Sequence, residues 1–179
     1  MSDLEQALLR EQLQWYRLQR HDFLNHWQVI MGYLQLNQGE KALTYMQDAL
    51  TGLEEEQKIA HILEPQLAAI LLSFLIGLRL EGVAVTLDFP DEMKGELYWE
   101  THWRKEYAEA FYGYTRTLLE KASLYVGLQQ KTLNALMGEI YLFSEPGGLA
   151  GQFILSNDDE TLFEKMVTLS DSEIKCPSL

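Results

Sequence analysis

Arg20-His21-Asp22-Phe23-Leu24-Asn25-His26 sits in a long proline-free stretch near the N-terminus, and the spacing around it decides the fold. Leu13, Leu24, Trp27, Met31 and Leu34 fall on alternating three- and four-residue steps once Arg17 and Arg20 occupy the missing positions. That is the period of a helix packed in a bundle, and it predicts one helix from about Asp3 to Leu36. The apolar line passes through Arg20, Leu24 and Trp27. His21 lies one residue round from it, at the boundary of core and solvent.

Working outward, Asn37-Gln38-Gly39 breaks the pattern with helix-ending residues. Leu43, Met46, Leu50 and Leu53 then repeat the stripe, predicting a second helix to about Gln57. Helices joined by so short a turn are antiparallel neighbours. A lone hairpin leaves its stripe in water, and helices of this length are marginal without packing. A second copy solves this, giving a dimeric four-helix bundle about a two-fold axis. Folding back onto the chain's own C-terminal half is the alternative, and the length of the first helix disfavours it.

Beyond a hinge near His61 to Glu64 the pattern changes. Pro65 suits the first turn of a third helix running to about Leu80. Val83 to Phe89 reads as a strand, ended by Pro90-Asp91, with Lys94-Gly95 in the following loop. A long helix is expected from about Thr101 to Val126, and a strand from Thr132 to Phe143. Ser144 to Gly151 reads as a loop with a Pro-Gly-Gly turn. Phe153-Ile154-Leu155 and Met166 to Leu169 suggest further strands, with a short helix near Asp159 to Glu164. The fold class is therefore α+β: a helical hairpin over residues 1–62 and a small α/β domain over residues 63–179.

Composition narrows the function. The chain has 179 residues, 47% hydrophobic and 23% charged, enough to bury a core without staples. A net charge of −13 disfavours nucleic acid and anionic membranes, which would repel it. The single Cys176 permits no internal disulfide and fits a reducing compartment. The N-terminus lacks a secretory pattern, and the apolar run Leu67 to Leu80 is too short and interrupted to span a bilayer. A cytoplasmic protein is expected.

Against this acidic background Arg10, Arg17 and Arg20 form a local basic patch on the first helix. An imidazole at the helix edge is open to a partner protein while its backbone stays rigid. Arg17 and Asn25 stand four residues before and after His21, on its face. Arg17 and Arg20, with Arg10 further off, are placed to offset a phosphoryl charge. Asn25 is placed to bond one ring nitrogen and set the tautomer. Asp22 projects about 100° away, so it is read as a partner contact and not as the base. A neutral imidazole is already nucleophilic and needs none. On periodicity alone, a histidine so placed is more often an ordinary edge residue than a catalyst.

The longer string Arg20-His21-Asp22-Phe23-Leu24-Asn25-His26-Trp27-Gln28-Val29-Ile30-Met31-Gly32 resembles the phosphohistidine box of the sporulation initiation phosphotransferase B family. It is also similar to the dimerisation helix of citrate/fumarate-type sensor kinases. The resemblance implies a homodimer in which His21 accepts a phosphoryl group from the aspartate of one response regulator. His21 then passes it to a second regulator, with Arg17, Arg20, Asp22 and Asn25 contacting the phosphoryl group or the partner. It implies no cofactor of the protein's own, with Mg2+ carried by the partner receiver domain.

A true ATP-dependent histidine kinase is one alternative. Its ATP-binding domain carries asparagines on a helix for magnesium, where the most similar stretch here, Thr117 to Ala122, has Thr117 and Lys121. No Asp-x-Gly-x-Gly string and no Gly-Lys-Ser/Thr phosphate loop occurs. The C-terminal domain thus resembles a degenerate histidine-kinase ATPase domain. A non-catalytic dimer that binds a regulator or kinase is the other alternative. His26, His61 and His102 read as isolated surface or edge residues. Trp99, Trp103, Tyr107, Phe111, Tyr112 and Tyr114 read as core packing on one helix, and Glu54-Glu55-Glu56 as a solvated helix end.

Overall fold

The computed structural model describes residues 2–51, 53–129, 135–146, 148–158, 160–170 and 173–175, and they divide into two units, Met1–Gln57 and Lys58–Leu179. Helix α1 spans Asp3–Gln35. A reciprocal cap opens it: the Glu5 amide donates to Ser2 Oγ at 3.2 Å, and the Ser2 amide donates to Glu5 Oε2 at 2.8 Å. Asp3 and Glu5 also put negative charge beside the positive end of the helix dipole. Asn37, at φ 54°, turns the chain in the left-handed conformation that asparagine tolerates better than most residues.

Helix α2 (Gly39–Thr51) returns alongside α1. The two meet through His26, Tyr33, Ala42 and Tyr45; Ala42 is buried, and the Tyr33 and Tyr45 rings lie 6.3 Å apart. The predicted stripe is on the other side of the pair and faces solvent. Leu24, Trp27, Met31 and Leu34 on α1 are each at least half exposed, as are Leu43 and Leu50 on α2. The second helix does not run unbroken to Gln57. It ends at Thr51, and α3 (Glu54–Ala60) starts afresh, since Thr51 and Gly52 are both weak helix formers. The acidic run lies in the first turn of α3, where it complements the dipole; it is not simply solvated, because Glu55 is buried and Glu56 half-buried.

Among the described residues the second unit forms a five-stranded sheet with helices packed on it. Helix α4 (Pro65–Leu80) is capped by the Glu64 side chain and buries Leu67, Ile70, Leu71, Phe74, Leu75 and Leu78. The strands β1 (Ala84–Asp88), β2 (Met137–Glu145), β3 (Gly148–Ser156), β4 (Thr161–Ser170) and β5 (Glu173–Lys175) lie side by side in chain order. Among the described residues only β1 and β2 pair in parallel, with Leu87 opposite Ile140. Val85, Leu87, Ile140, Leu142, Phe153, Leu155, Val167 and Leu169 are buried at alternating positions along the strands, while between them Thr86 is exposed and Tyr141, Ile154 and Thr168 are half-buried.

Four expectations are corrected here. The long aromatic helix is two: α5 (Glu96–His102) and α6 (Tyr107–Gln129). Trp103 leaves helical geometry at φ −115°, ψ 139°, and its buried ring meets Tyr107 edge-on at 6.0 Å. The aromatics do pack as core, Tyr112 excepted, which is half-buried. Lys94 closes a short 3-10 turn (Asp91–Lys94), not an open loop. Leu149-Ala150-Gly151 is strand, not loop: its glycines serve close approach, since a Cβ on Gly148 would lie 1.8 Å from the Leu169 carbonyl oxygen and one on Gly151 would lie 3.1 Å from the Phe111 ring. Finally, β4 begins at Thr161, where a short helix was expected. Asn157 closes the turn by accepting the Glu160 amide at its side chain, and Phe163 pairs across to Leu155. The expected strand start at Thr132, the middle of the Pro-Gly-Gly turn at Gly147, Asp159 and Cys176 lie outside the described residues.

Phe153 is 1% exposed and meets Phe74 edge-on at 5.3 Å. Phe153→Ala should lower the unfolding free energy by about 3–5 kcal/mol, read from urea melts followed by tryptophan fluorescence.

Candidate functional site

His21 sits midway along α1, and no proline or glycine interrupts the helix between Asp3 and Met31. Its direction is thus set by the helix, while its side chain is 74% exposed. The structure brings two of the expected residues to the imidazole. Asn25 Nδ2 lies 3.1 Å from His21 Nδ1, as the four-residue spacing requires. Asp22 Oδ1 lies 3.4 Å from the same nitrogen. That corrects the expectation that Asp22 points away: its Cβ does leave at about 100°, but on an open helix surface both short side chains rotate toward each other.

The two neighbours act on one nitrogen. With Asn25 Nδ2 as donor, Nδ1 carries the lone pair. Turning the amide end for end offers Oδ1 instead, an acceptor for Nδ1–H, and that is the tautomer a carboxylate at 3.4 Å also favours. The lone pair then belongs to Nε2. Both contacts are on the Nδ1 side, so Nε2 is left facing outward.

Arg17 and Arg20 are exposed on the same helix. Arg17 stands one turn below His21; Arg20 lies on the stripe itself. Arg10 lies about 16 Å along the axis from His21 and is too distant to compensate a charge there. His26 is not isolated: its Nδ1 lies 2.8 Å from Tyr45 Oη, which ties α1 to α2 one turn from the site. His102 is also engaged, stacked on Tyr98 at 4.1 Å with its Nδ1 near the Tyr98 carbonyl. Burial pushes the Tyr98 phenol above its ordinary range, although a hydrogen bond to Ser144 at 2.9 Å works in the opposite direction. Among the described residues no three His, Cys, Asp or Glu side chains gather, and no helix is long and apolar enough to cross a membrane.

In the second unit the positions compared with metal-binding asparagines have other partners. Thr117 Oγ1 donates to the Gly113 carbonyl at 3.0 Å. Lys121 Nζ lies 4.8 Å above the Phe163 ring, a cation–π contact that places a fixed positive charge at that point of α6.

The hairpin is the part of the chain that comparison with known families recognises. Residues 1–62 match the family model of the sensor kinase SpoOB-type alpha-helical domain. The match relates this N-terminal third to sensor-kinase and phosphorelay domains at the level of the superfamily, and it does not extend over residues 63–179. No curated protein matches the chain.

Sequence spacing anticipated the Asn25–His21 contact, because a helix makes four-residue neighbours predictable. It missed the Asp22 contact, which depends on rotamers, and the His26–Tyr45 pair, which depends on how α2 lies against α1. Tyr45→Phe removes that cross-hairpin hydrogen bond and should destabilise the hairpin unit by about 1 kcal/mol, seen as a lower midpoint in thermal circular dichroism at 222 nm.

Proposed function

We propose that this protein is a phosphorelay phosphotransferase that carries a phosphoryl group on His21 between the aspartates of two response regulators. The observation that carries the reading is the exposed imidazole on the flank of α1, held at Nδ1 by Asn25 and Asp22. It lies within the segment that matches the SpoOB-type helical domain.

The chemistry is an in-line exchange between two strong leaving groups. His21 Nε2 attacks the phosphorus of the donor's aspartyl phosphate. The N–P bond forms as the acyl-phosphate P–O bond breaks, and the donor carboxylate departs with the electron pair. The imidazole ring becomes cationic, with its Nδ1 proton shared toward Asp22 and Asn25. In the second step an acceptor aspartate attacks the same phosphorus and the neutral ring leaves. The protein's work is positioning and charge compensation. His21 is the catalytic residue; Asn25 and Asp22 hold its tautomer, and Arg17 faces the three phosphoryl oxygens from one turn away. The regulators bring the Mg2+, and the phosphotransferase needs no cofactor of its own.

Two copies pair through the exposed stripe into a four-helix bundle in the cytoplasm. The half-exposed Leu24, Trp27, Met31, Leu34, Leu43 and Leu50 support this, since so long an apolar line is costly in water. The C-terminal sheet domain resembles a kinase ATPase domain that has lost its nucleotide site, with Lys121 on Phe163 where a magnesium-binding asparagine would stand.

Incubation with an aspartyl-phosphorylated receiver domain should place acid-labile, base-stable label on the protein, and His21→Ala should carry none. Arg17→Ala should slow transfer about tenfold, the loss of a charge-assisted contact worth about 1.4 kcal/mol. Label that survives His21→Ala sinks the assignment. Calorimetry with ATP and Mg2+ should give no heat of binding; micromolar affinity would instead support the kinase reading.

A further inference from the structure

The sheet of the second unit has two faces, and the helix contacts fall on one of them. Phe74 of α4 meets Phe153, Phe111 of α6 lies beside Gly151, and Tyr98 of α5 bonds Ser144, all on the side that buries Leu142 and Leu155. Strand register fixes the opposite face row by row. Thr86, Glu139, Ile154 and Glu164 lie side by side in one row, and Asp88, Tyr141, Gln152 and Met166 in the next. This face is not sealed. Met137 is 42% exposed and Met166 47%, with Tyr141, Phe143 and Ile154 half-buried. Apolar side chains in adjacent rows make a continuous patch, the mark of an interaction surface.

Charge selects the occupant. Asp88, Glu139 and Glu164 stand among these apolar groups, and from β1 to β4 the face carries no lysine or arginine among the described residues. Lys175 is in register with Thr168 on the edge strand β5. Glu139 accepts the Tyr141 phenol, and Glu164 accepts Gln152 Nε2 at 2.6 Å, so both carboxylates bond neutral donors. The bond to Glu139, with burial and the charges of Glu139 and Asp88, pushes the Tyr141 phenol above its ordinary range. A second copy of this face would set acid against acid, and nucleic acid or anionic lipid would be repelled in the same way. The occupant is therefore cationic.

Spacing narrows it further. Glu139 and Glu164 are two strands apart, about 10 Å, with Ile154 between them. Seven residues of helix also rise about 10 Å. A helix laid across the strands thus meets the acid–apolar–acid row with one of its own faces. We propose that this face of the sheet docks a cationic amphipathic helix of a partner protein, with Lys or Arg at i and i+7 on Glu139 and Glu164 and an apolar side chain at i+3 or i+4 on Ile154. Met137, Tyr141 and Met166 flank the row and take further apolar side chains. The surface belongs wholly to the second unit, and its use does not depend on phosphotransfer at His21.

Fluorescence anisotropy on the full chain tests it, the probe being a labelled helical peptide of Leu, Lys and Ala with this spacing. A peptide of the same composition, scrambled off the spacing, is the control. The first should bind saturably, at least about tenfold more tightly than the second, and less tightly at high salt. Glu139→Lys with Glu164→Lys should weaken binding at least about tenfold. Asp48→Lys with Glu81→Lys, an equal charge change at exposed positions elsewhere, should leave it within about twofold. Glu164→Gln alone, which keeps the side-chain shape, should weaken it about threefold. Ile154→Ser should weaken it about fivefold at constant charge. Equal binding of the two peptides, or equal loss from the two double variants, reduces the effect to net charge and overturns the proposal. Self-association, or binding to phosphatidylglycerol vesicles, that Ile154→Ser abolishes assigns the face to a second copy or a membrane and overturns it too.

Discussion

Everything in the N-terminal unit depends on the continuity of α1. A helix of 33 residues with a reciprocal cap at its start gives each side chain a fixed height and azimuth. Position on that cylinder sorts the residues into three lines: one toward α2, one apolar and exposed, and the edge between, where His21 stands. Nothing else in the hairpin needs to be positioned independently. The turn at Asn37 returns α2 along the first line, and the His26–Tyr45 contact holds it there.

The same rigidity would suit the proposed role, in which His21 is met by two regulators in turn. A side chain on a loop would have to be ordered at each encounter; one on a long helix is already placed. The contacts on His21 are light, one amide at 3.1 Å and one carboxylate at 3.4 Å, and both lie on the Nδ1 side. They act on the tautomer and leave the opposite nitrogen to solvent. The second unit is built differently. Its sheet buries one face with Phe153, Leu155, Val167 and Leu169, and its glycines allow α6 and the strands to approach.

How legible each part was follows from the range of the interactions that form it. Helices α1 and α4 match their expected ends within a residue, because caps, Pro65 and periodicity are local signals. The errors cluster where tertiary contact overrides them. Trp103 breaks a helix that composition alone would continue, to bury its ring beside Tyr107. Gly148 and Gly151 look like turn residues but lie in a strand, since what they accommodate is a carbonyl and a phenyl ring distant in sequence.

By itself the sequence determined the hairpin, the azimuth of His21 and the neighbours one turn away, because helix geometry converts spacing into position. Only the tertiary structure decided that Asp22 reaches the imidazole, that His26 is tied to Tyr45, and that Lys121 rests on Phe163. Those depend on rotamers and on elements meeting across space, which no periodicity in the chain encodes.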